Sequence, residues 1–382
     1  MRRAPITVPS IGGLPLENLP HLVLQGTGRA VLNYRWSRTL LRRLYRHRYL
    51  CGFLLIGFLS ICLEILVARF LPGEWTLNQR SMVAFPLGLL FAGWANAHFN
   101  FRVPRSKFWM SMLLFALVSL ASLGVNRIFL YSTDLVAHLG FPAARMLSSG
   151  IFFVFAYMLH RRFTFRGSDR SLGVALYTSA TEDVVGARMR VGDLCDHIHC
   201  DMVDSTFCRG RESTEVSTLV QIRSMWPDMP IFLHLMTRQP SRWLDLCLPS
   251  VDVLLFHPDG DDDALDIIAR CRIAGRKVGV IWRQGMALRD ILYCLPHVDY
   301  VMTLGIAKPG ESGQVILPEA LTVAKQFAAM SARYGYQTVF DGGVNTNNLY
   351  DIPAQHIVSA SALLHAKLPW LAALQLAVGK RR

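Results

Sequence analysis

The order of apolar and polar positions changes character near residue 170. Before it, four long apolar stretches follow one another, at about 49–71, 82–101, 108–132 and 137–159. At 1.5 Å per residue, helices of that length cross a hydrocarbon core of roughly 30 Å, so four transmembrane helices are predicted. After residue 170 the apolar runs shorten to strand length and alternate with helix-like segments. Candidate strands cover 172–178, 197–203, 230–235, 251–256, 277–282, 298–304, 337–341 and 355–359. Eight strands alternating with helices is what a (β/α)8 barrel needs. A doubly wound sheet is the alternative, but no glycine-rich phosphate fingerprint follows the first strand. The predicted fold class is multi-domain: an all-α four-helix transmembrane bundle followed by a (β/α)8 TIM barrel.

The expected divisions are a basic, partly disordered extension over 1–47, a membrane domain over 48–167, a linker over 168–171, a barrel over 172–372 and a basic tail over 373–382. Charge follows the same division. The net +13 is +15 over residues 1–170 and −2 over 171–382. Such a split speaks for positive loops beside a membrane, and no nucleic-acid partner is expected, since the second half has no basic stripe interleaved with aromatics. Arg42, Arg43, Arg46 and Arg48 precede the first span; Arg102, Arg105 and Lys107 join the second to the third; Arg161, Arg162, Arg166 and Arg170 follow the fourth. The loops at 72–81 and 131–137 hold only Arg80 as a basic residue. The positive-inside rule then puts both termini and the barrel in the cytoplasm, on an inner membrane, with lipid around the bundle. The first 40 residues lack the pattern of a signal peptide. Eight cysteines without a CxxC pair or zinc-finger spacing read as reduced thiols rather than disulfides.

Ionisable groups inside the spans are costly and usually face a bundle interior or a polar pathway. Glu64, Asn96, Asn126 and Arg145 are the candidates for such positions, while Arg69, Arg127 and His138 read as groups snorkelling near span ends. Two helix ends echo each other, Phe99-Asn100-Phe101-Arg102 and Phe163-Thr164-Phe165-Arg166. They mark either a duplicated two-helix unit or convergent chemistry at the headgroup level. The opening FLLIGFLSICLEILVARFL, the Asn96–Phe101 end and the closing His160-Arg161-Arg162-Phe163-Thr164-Phe165 together resemble the GtrA-like family, over roughly 48–167. The resemblance implies a polyprenyl-phosphate-linked sugar as partner, with glycosyltransferases beside it.

In the second half, His199-Cys200-Asp201, His234-Leu235-Met236 and Asp341-Gly342-Gly343 each close a strand-like run. His199 and Asp201 share one strand face, because side chains repeat every two residues. Barrel enzymes place their chemistry at these C-terminal strand ends. Two imidazoles and two carboxylates suit one divalent metal ion, Zn²⁺, Fe²⁺ or Mn²⁺, better than Ca²⁺ or Mg²⁺, with His199, Asp201, His234 and Asp341 as ligands. A carboxylate on each side also suits removal and return of a proton next to a carbonyl, with Asp201 and Asp341 as the catalytic pair.

These residues are where the chain resembles ribulose-phosphate 3-epimerases, over roughly 172–370. The motifs are His197–Asp204, Phe232–Met236 followed by Pro240, His257, Pro309–Gln314, Asp341–Val344 and Ser359–Ala362. The resemblance implies an isomerase acting on a sugar phosphate, with the four residues above as metal ligands and acid/base pair. It further implies Met236 in the pocket wall and Gly310, Gly313, Gln314, Gly342, Gly343, Ala360 and Ser361 in the substrate- and phosphate-binding loops. The departures lie in recognition. Val203-Asp204-Ser205 stands where the family has Met-Asp-Gly, Glu311-Ser312 interrupts its glycine-rich loop, and Ala360 replaces the glycine of its last phosphate turn. Trp282-Arg283-Gln284 stands where it has Asn-Pro, and Tyr177, Thr178 or Ser179 lies near its strand-one serine. The expected function is a membrane-tethered, metal-dependent epimerase coupled to glycolipid handling. The rival is a translocation or scaffold protein whose barrel only binds a phosphosugar or is catalytically degenerate. Asp259–Asp263 reads as a solvated helix start rather than a calcium loop.

Overall fold

The computed structural model describes residues 40, 43–103, 107–132, 147, 151, 153–165, 170–210, 212–309, 313–349 and 351–378. The chain divides into two compact units, Met1–His47 and Arg48–Arg382. In the first, residues 43–46 are helical, and the expected disorder of the extension falls outside the described residues.

The second unit opens with α1 (Arg48–Phe70), α2 (Leu77–Ala95), α3 (Phe108–Ser132) and α4 (153–159). Among the described residues, Arg48–Phe70, Met82–Asn100 and Phe108–Val125 are long and apolar enough to cross a membrane. The fourth expected span keeps its second half as α4. Its first half, with His138 and Arg145, lies outside the described residues, as do the side chains of Asn126 and Arg127. Thr76 caps α2 with Gln79 in a reciprocal box, each backbone N–H meeting the other's side chain. Leu55, Phe58, Ile61 and Ile65 stand exposed on α1, the surface expected of a helix that meets lipid. Asn96 is buried, and Glu64 is half-buried beside Gly88, whose missing side chain leaves room for the carboxylate.

The echoed helix ends share one conformation. α2 runs into a π-helical turn at Asn96–Asn100 and α4 into another at His160–Thr164. Each closes on the same bond, from Phe101 N to Asn96 O and from Phe165 N to His160 O, both 2.8 Å. A π turn carries one extra residue per turn and re-aims the residues after it. Here it sends Phe101 and Phe165 into the bundle, stacked 4.3 Å apart with 10° between their planes. The polar partners repeat as well. Asn100 Nδ2 donates to Asn96 Oδ1 at 3.0 Å, and His160 Nδ1 pairs with Thr164 Oγ1 at 3.1 Å. This geometry favours the duplicated unit. The headgroup reading holds only for Phe99 and Phe163, which are exposed, whereas Phe101 and Phe165 are buried.

The barrel is closed and all parallel, in the order β1 (Ser171–Tyr177), β2 (His197–Val203), β3 (Ile231–Met236), β4 (Val253–Phe256), β5 (Lys277–Trp282), β6 (Tyr300–Leu304), β7 (Gln337–Asp341) and β8 (His356–Ser359). The flanking helices are α5 (Val184–Val191), α6 (Val216–Met225), α7 (Leu244–Cys247), α8 (Ala264–Ile273), α9 (Arg289–Leu292), α10 (Pro318–Tyr334), α11 (Ser361–Leu364) and α12 (Pro369–Val378). Every strand lies within two residues of its expected span. Two boundaries differ. β1 begins at Ser171, inside the expected linker, and α12 continues through residues 373–378, burying Ala373, Leu376 and Ala377, so these belong to the barrel rather than to a tail. Inward positions interlock as Phe232, Val253, Leu255, Ile281, Tyr300, Met302, Val339 and Val358, which fill the lumen and leave only its C-terminal mouth for chemistry.

The bundle holds the barrel at the opposite end from that mouth. Arg48, at the start of α1, grips Asp196 just ahead of β2, with Nη1–Oδ1 at 3.2 Å and Nη2–Oδ2 at 3.0 Å. Its Nη2 also donates to Arg170 O, and Tyr49 Oη accepts from Arg170 N at 3.1 Å. Arg170 in turn donates to Leu349 O and Ile352 O, in the segment that enters β8. All of these partners precede strands, at their N-terminal ends.

Candidate active site

Strand alternation delivers the four expected ligands to one point. His199 and Asp201 lie two apart on β2, and the parallel register sets Asp201 beside His234 of β3 and Leu304 beside Asp341 of β7. One ligand atom from each of His199, Asp201, His234 and Asp341 lies within 4.8 Å of every other. His234 Nδ1 is 2.9 Å from Asp201 Oδ1 and 3.8 Å from Asp341 Oδ2; His199 Nε2 is 3.5 Å and 3.7 Å from the same two oxygens. All four residues are buried.

The donor set fits a divalent metal. Both ring nitrogens of His199 are fully buried with no hydrogen-bond partner, a costly arrangement that a ligand on Nε2 would repay. Nitrogen and carboxylate oxygen donors in a two-and-two mixture are what borderline ions take. Electrostatics separate the two carboxylates. Burial alone would raise Asp201, but the close approach and charge of His199 and His234 outweigh it and hold this carboxyl below its ordinary range. For Asp341, burial and the neighbouring Asp201 dominate and raise it. For His199, burial is outweighed by Asp201 and Asp341, which raise it. Their surroundings thus push the two carboxyl groups in opposite directions. Behind His234, its Nε2 meets His257 Nε2 at 3.1 Å, and the Phe207 ring packs on His257 at 4.6 Å. A neighbour on one ring nitrogen fixes the role of the other.

Above the ligands lies a cavity of about 390 Å³. Its walls include Asp201, His234, Met236 and Asp341, with Gly313, Gln314, Gly342, Gly343, Ala360 and Ser361, so these expected residues come together. Gly310 falls outside the described residues, as do Glu311 and Ser312. Gly342 and Gly343 have φ of 97° and 73°, and a Cβ on Gly343 would stand 2.8 Å from Ile316 Cγ1 and 2.9 Å from Gln314 O. Only glycine fits that close turn. Gln314 is pinned by its amide to both backbone groups of Lys308, at 2.6 and 3.1 Å, and staples the loop. Of the three strand-one candidates, Tyr177 lines the cavity; Thr178 donates to Ser213 O, and Ser179 pairs with Thr181. Asp204 lies aside from the cavity, holding Thr206, Thr237 and Trp243 together.

Lining residues that the sequence reading did not name include the polar Asn345 and His365 and the apolar Ala175, Leu304, Ile306 and Val358. His365 follows α11, its N–H bonded to Ser361 O, so a polar residue one turn beyond the phosphate-type motif was the available signal. The Asp259–Asp263 acids are each occupied. Asp259 pairs with Arg283, Asp261 with Arg238, Asp262 accepts from Ser241 N, and Asp263 caps α8. All eight cysteines are free thiols.

Residues 171–364 match the Ribulose-phosphate 3 epimerase family, and residues 52–165 match the GtrA/DPMS transmembrane domain. Over 161 residues the chain is 29% identical to a ribulose-phosphate 3-epimerase of Mycobacterium leprae, a match covering 40% of this chain and 69% of the relative. A ribulose-phosphate 3-epimerase of Mycobacterium bovis is 28% identical over 161 residues, covering 40% of this chain and 67% of the relative. Among solved structures, a 3-hexulose-6-phosphate synthase aligns with a TM-score of 0.41 at 17% identity, covering 55% of this chain and all (100%) of that one.

Proposed function

This chain belongs to the ribulose-phosphate 3 epimerase family, and from that premise we propose that its barrel is a metal-dependent epimerase of a ketose phosphate or related sugar phosphate, carried on a GtrA-like membrane bundle. The observation that carries the reading is the convergence of His199, Asp201, His234 and Asp341 within 4.8 Å, beneath a cavity walled by the Gly342-Gly343 turn. Zn²⁺, Fe²⁺ or Mn²⁺ held by these four would stabilise the charge that develops on the substrate oxygens when a proton leaves the adjacent carbon. One of Asp201 and Asp341 takes that proton and the other supplies one to the opposite face, which inverts the carbon. Gly342, Gly343, Ala360 and Ser361 form the wall assigned to the substrate's phosphate, and Met236 closes the apolar side. The bundle lies in an inner membrane with the barrel in the cytoplasm, where the loop arginines favour it. Its conversion serves the supply of sugar for a polyprenyl-linked glycolipid.

The test uses the full chain in detergent, loaded with Mn²⁺ or Zn²⁺, and follows deuterium exchange next to the ketone of ribulose 5-phosphate and related ketose phosphates. Exchange that is lost in Asp341→Asn, with the fold intact, supports the proposal. Metal-loaded protein that exchanges none of these substrates refutes it and leaves a barrel that only binds phosphosugars.

A further inference from the structure

Beside the catalytic cavity lies a second one, of about 240 Å³, over the ends of β3 to β6. The two share Leu304, Ile306 and Pro309 in their linings, so they are neighbours across that strip. The second cavity also touches the metal-ligand set through one hydrogen bond, since His257 lines it and contacts His234.

Its chemistry differs from that of the first. Arg238 and Arg283 line it against a single carboxylate, Asp259, with the Gln284 amide beside them. Arg283 follows β5 at the position where the inward alternation of Gly279 and Ile281 continues, which is why it arrives at the mouth. Its guanidinium is already positioned. Nη2 is bound to Asp259 Oδ2 at 2.5 Å, and the group lies 5.7 Å from the Phe207 ring centre. Nε, in contrast, is buried and has no hydrogen-bond partner. A pre-oriented guanidinium whose side chain stays 34% exposed at the cavity is a receptor for an oxyanion, because its long side chain is already fixed before the ligand arrives. The hydroxyls of Thr206 and Thr237 do not compete, since both already donate to Asp204.

We propose that this cavity binds a second oxyanion of the substrate, a phosphate or carboxylate at the end opposite the phosphate held by the Gly342-Gly343 and Ala360-Ser361 turns. Resting on the epimerase reading, this names the substrate class as a doubly anionic open-chain sugar. Arg283 is its specificity-determining residue.

The experiment measures calorimetric binding of ribulose 5-phosphate and of ribulose 1,5-bisphosphate to the full chain in detergent, loaded with Mn²⁺, with deuterium exchange recorded in parallel. The bisphosphate is expected to bind at least about tenfold more tightly than the monophosphate. Arg283→Gln is expected to abolish that preference and Arg283→Lys to keep part of it, because the lysine retains charge but not the fork. Equal affinity for the two ligands in the wild type, or an equal loss for both in Arg283→Gln, overturns the proposal. Preference without exchange on either ligand supports the oxyanion site and refutes turnover of these substrates; exchange without preference does the reverse. Metal content and melting temperature of each variant establish that the fold persists.

Discussion

Replacing Arg48 by methionine tests whether the membrane bundle braces the barrel. The side chain is only 9% exposed, and its bonds across the junction include two to Asp196 and one to Arg170 O. Hydrogen bonds to charged groups are worth about 1.5–3 kcal/mol each in mutational series, but these three share one guanidinium and do not add. Asp196 keeps 28% of its side chain exposed, so water recovers part of the loss. Its Oδ2 also retains the N–H of Leu172 at 2.9 Å. Together these give an expected destabilisation of about 2–4 kcal/mol for Arg48→Met, near the lower part of the range for breaking a buried pair. The cost should fall on the strands that Asp196 and Arg170 precede. Hydrogen exchange of the full chain in detergent is therefore expected to speed up in the amides of β1 and β2 and to change little in β4 and β5. A double-mutant cycle with Asp196→Asn is expected to give a coupling of about 1–2 kcal/mol. Unchanged protection in β1 and β2, with a coupling below about 0.5 kcal/mol, would refute the bracing argument.

Two further outcomes are expected. Burial, against a partly opposing Asp196 and with help from Lys277, lowers His356 from 6.5 to about 4. The unfolded chain therefore takes up its proton first as pH falls, and stability present above pH 6.5 is lost between there and about 4, by at most about 3 kcal/mol. His356→Gln should flatten that part of the unfolding free energy measured between pH 7.5 and 4.5; an unchanged slope argues against it. For the barrel thiols, burial raises Cys247 and Cys271 to about 12 and Cys294 to about 11, and raises Cys195 and Cys200 further. Iodoacetamide at pH 8 should label half-buried Cys208 and spare these five until denaturant is added, as peptide mass analysis would report.

The strands and the convergence of the four candidate ligands were legible because both rest on a local rule. Period-two alternation puts His199 with Asp201 and ends each apolar run at the barrel mouth, whatever the rest of the chain does. The features that escaped depend on partners far away in sequence or on a bonding pattern that hydropathy does not encode. A π turn and an α turn have the same composition, so the burial of Phe101 and Phe165 was hidden although their echo was visible. The Arg48–Asp196 bridge joins residues 148 apart, and nothing near Arg48 distinguishes it from the other arginines ahead of the first span. Arg283 was legible only as a departure from a family pattern; its contacts with Asp259 and Phe207 and its place in the second cavity depend on distant partners. The boundary expected at 372 falls inside α12, whose apolar residues Ala373, Leu376 and Ala377 the barrel buries just ahead of the basic Lys380-Arg381-Arg382.

The attachment of the bundle at the strand N-termini sets a direction for traffic. From the bundle's attachment at the strand N-termini to Asp341 is the full height of the barrel, about 20 Å for strands of six or seven residues. The plugged lumen offers no passage upward. On the proposed function, a molecule held by the bundle would therefore have to reach the candidate site around the barrel rather than through it.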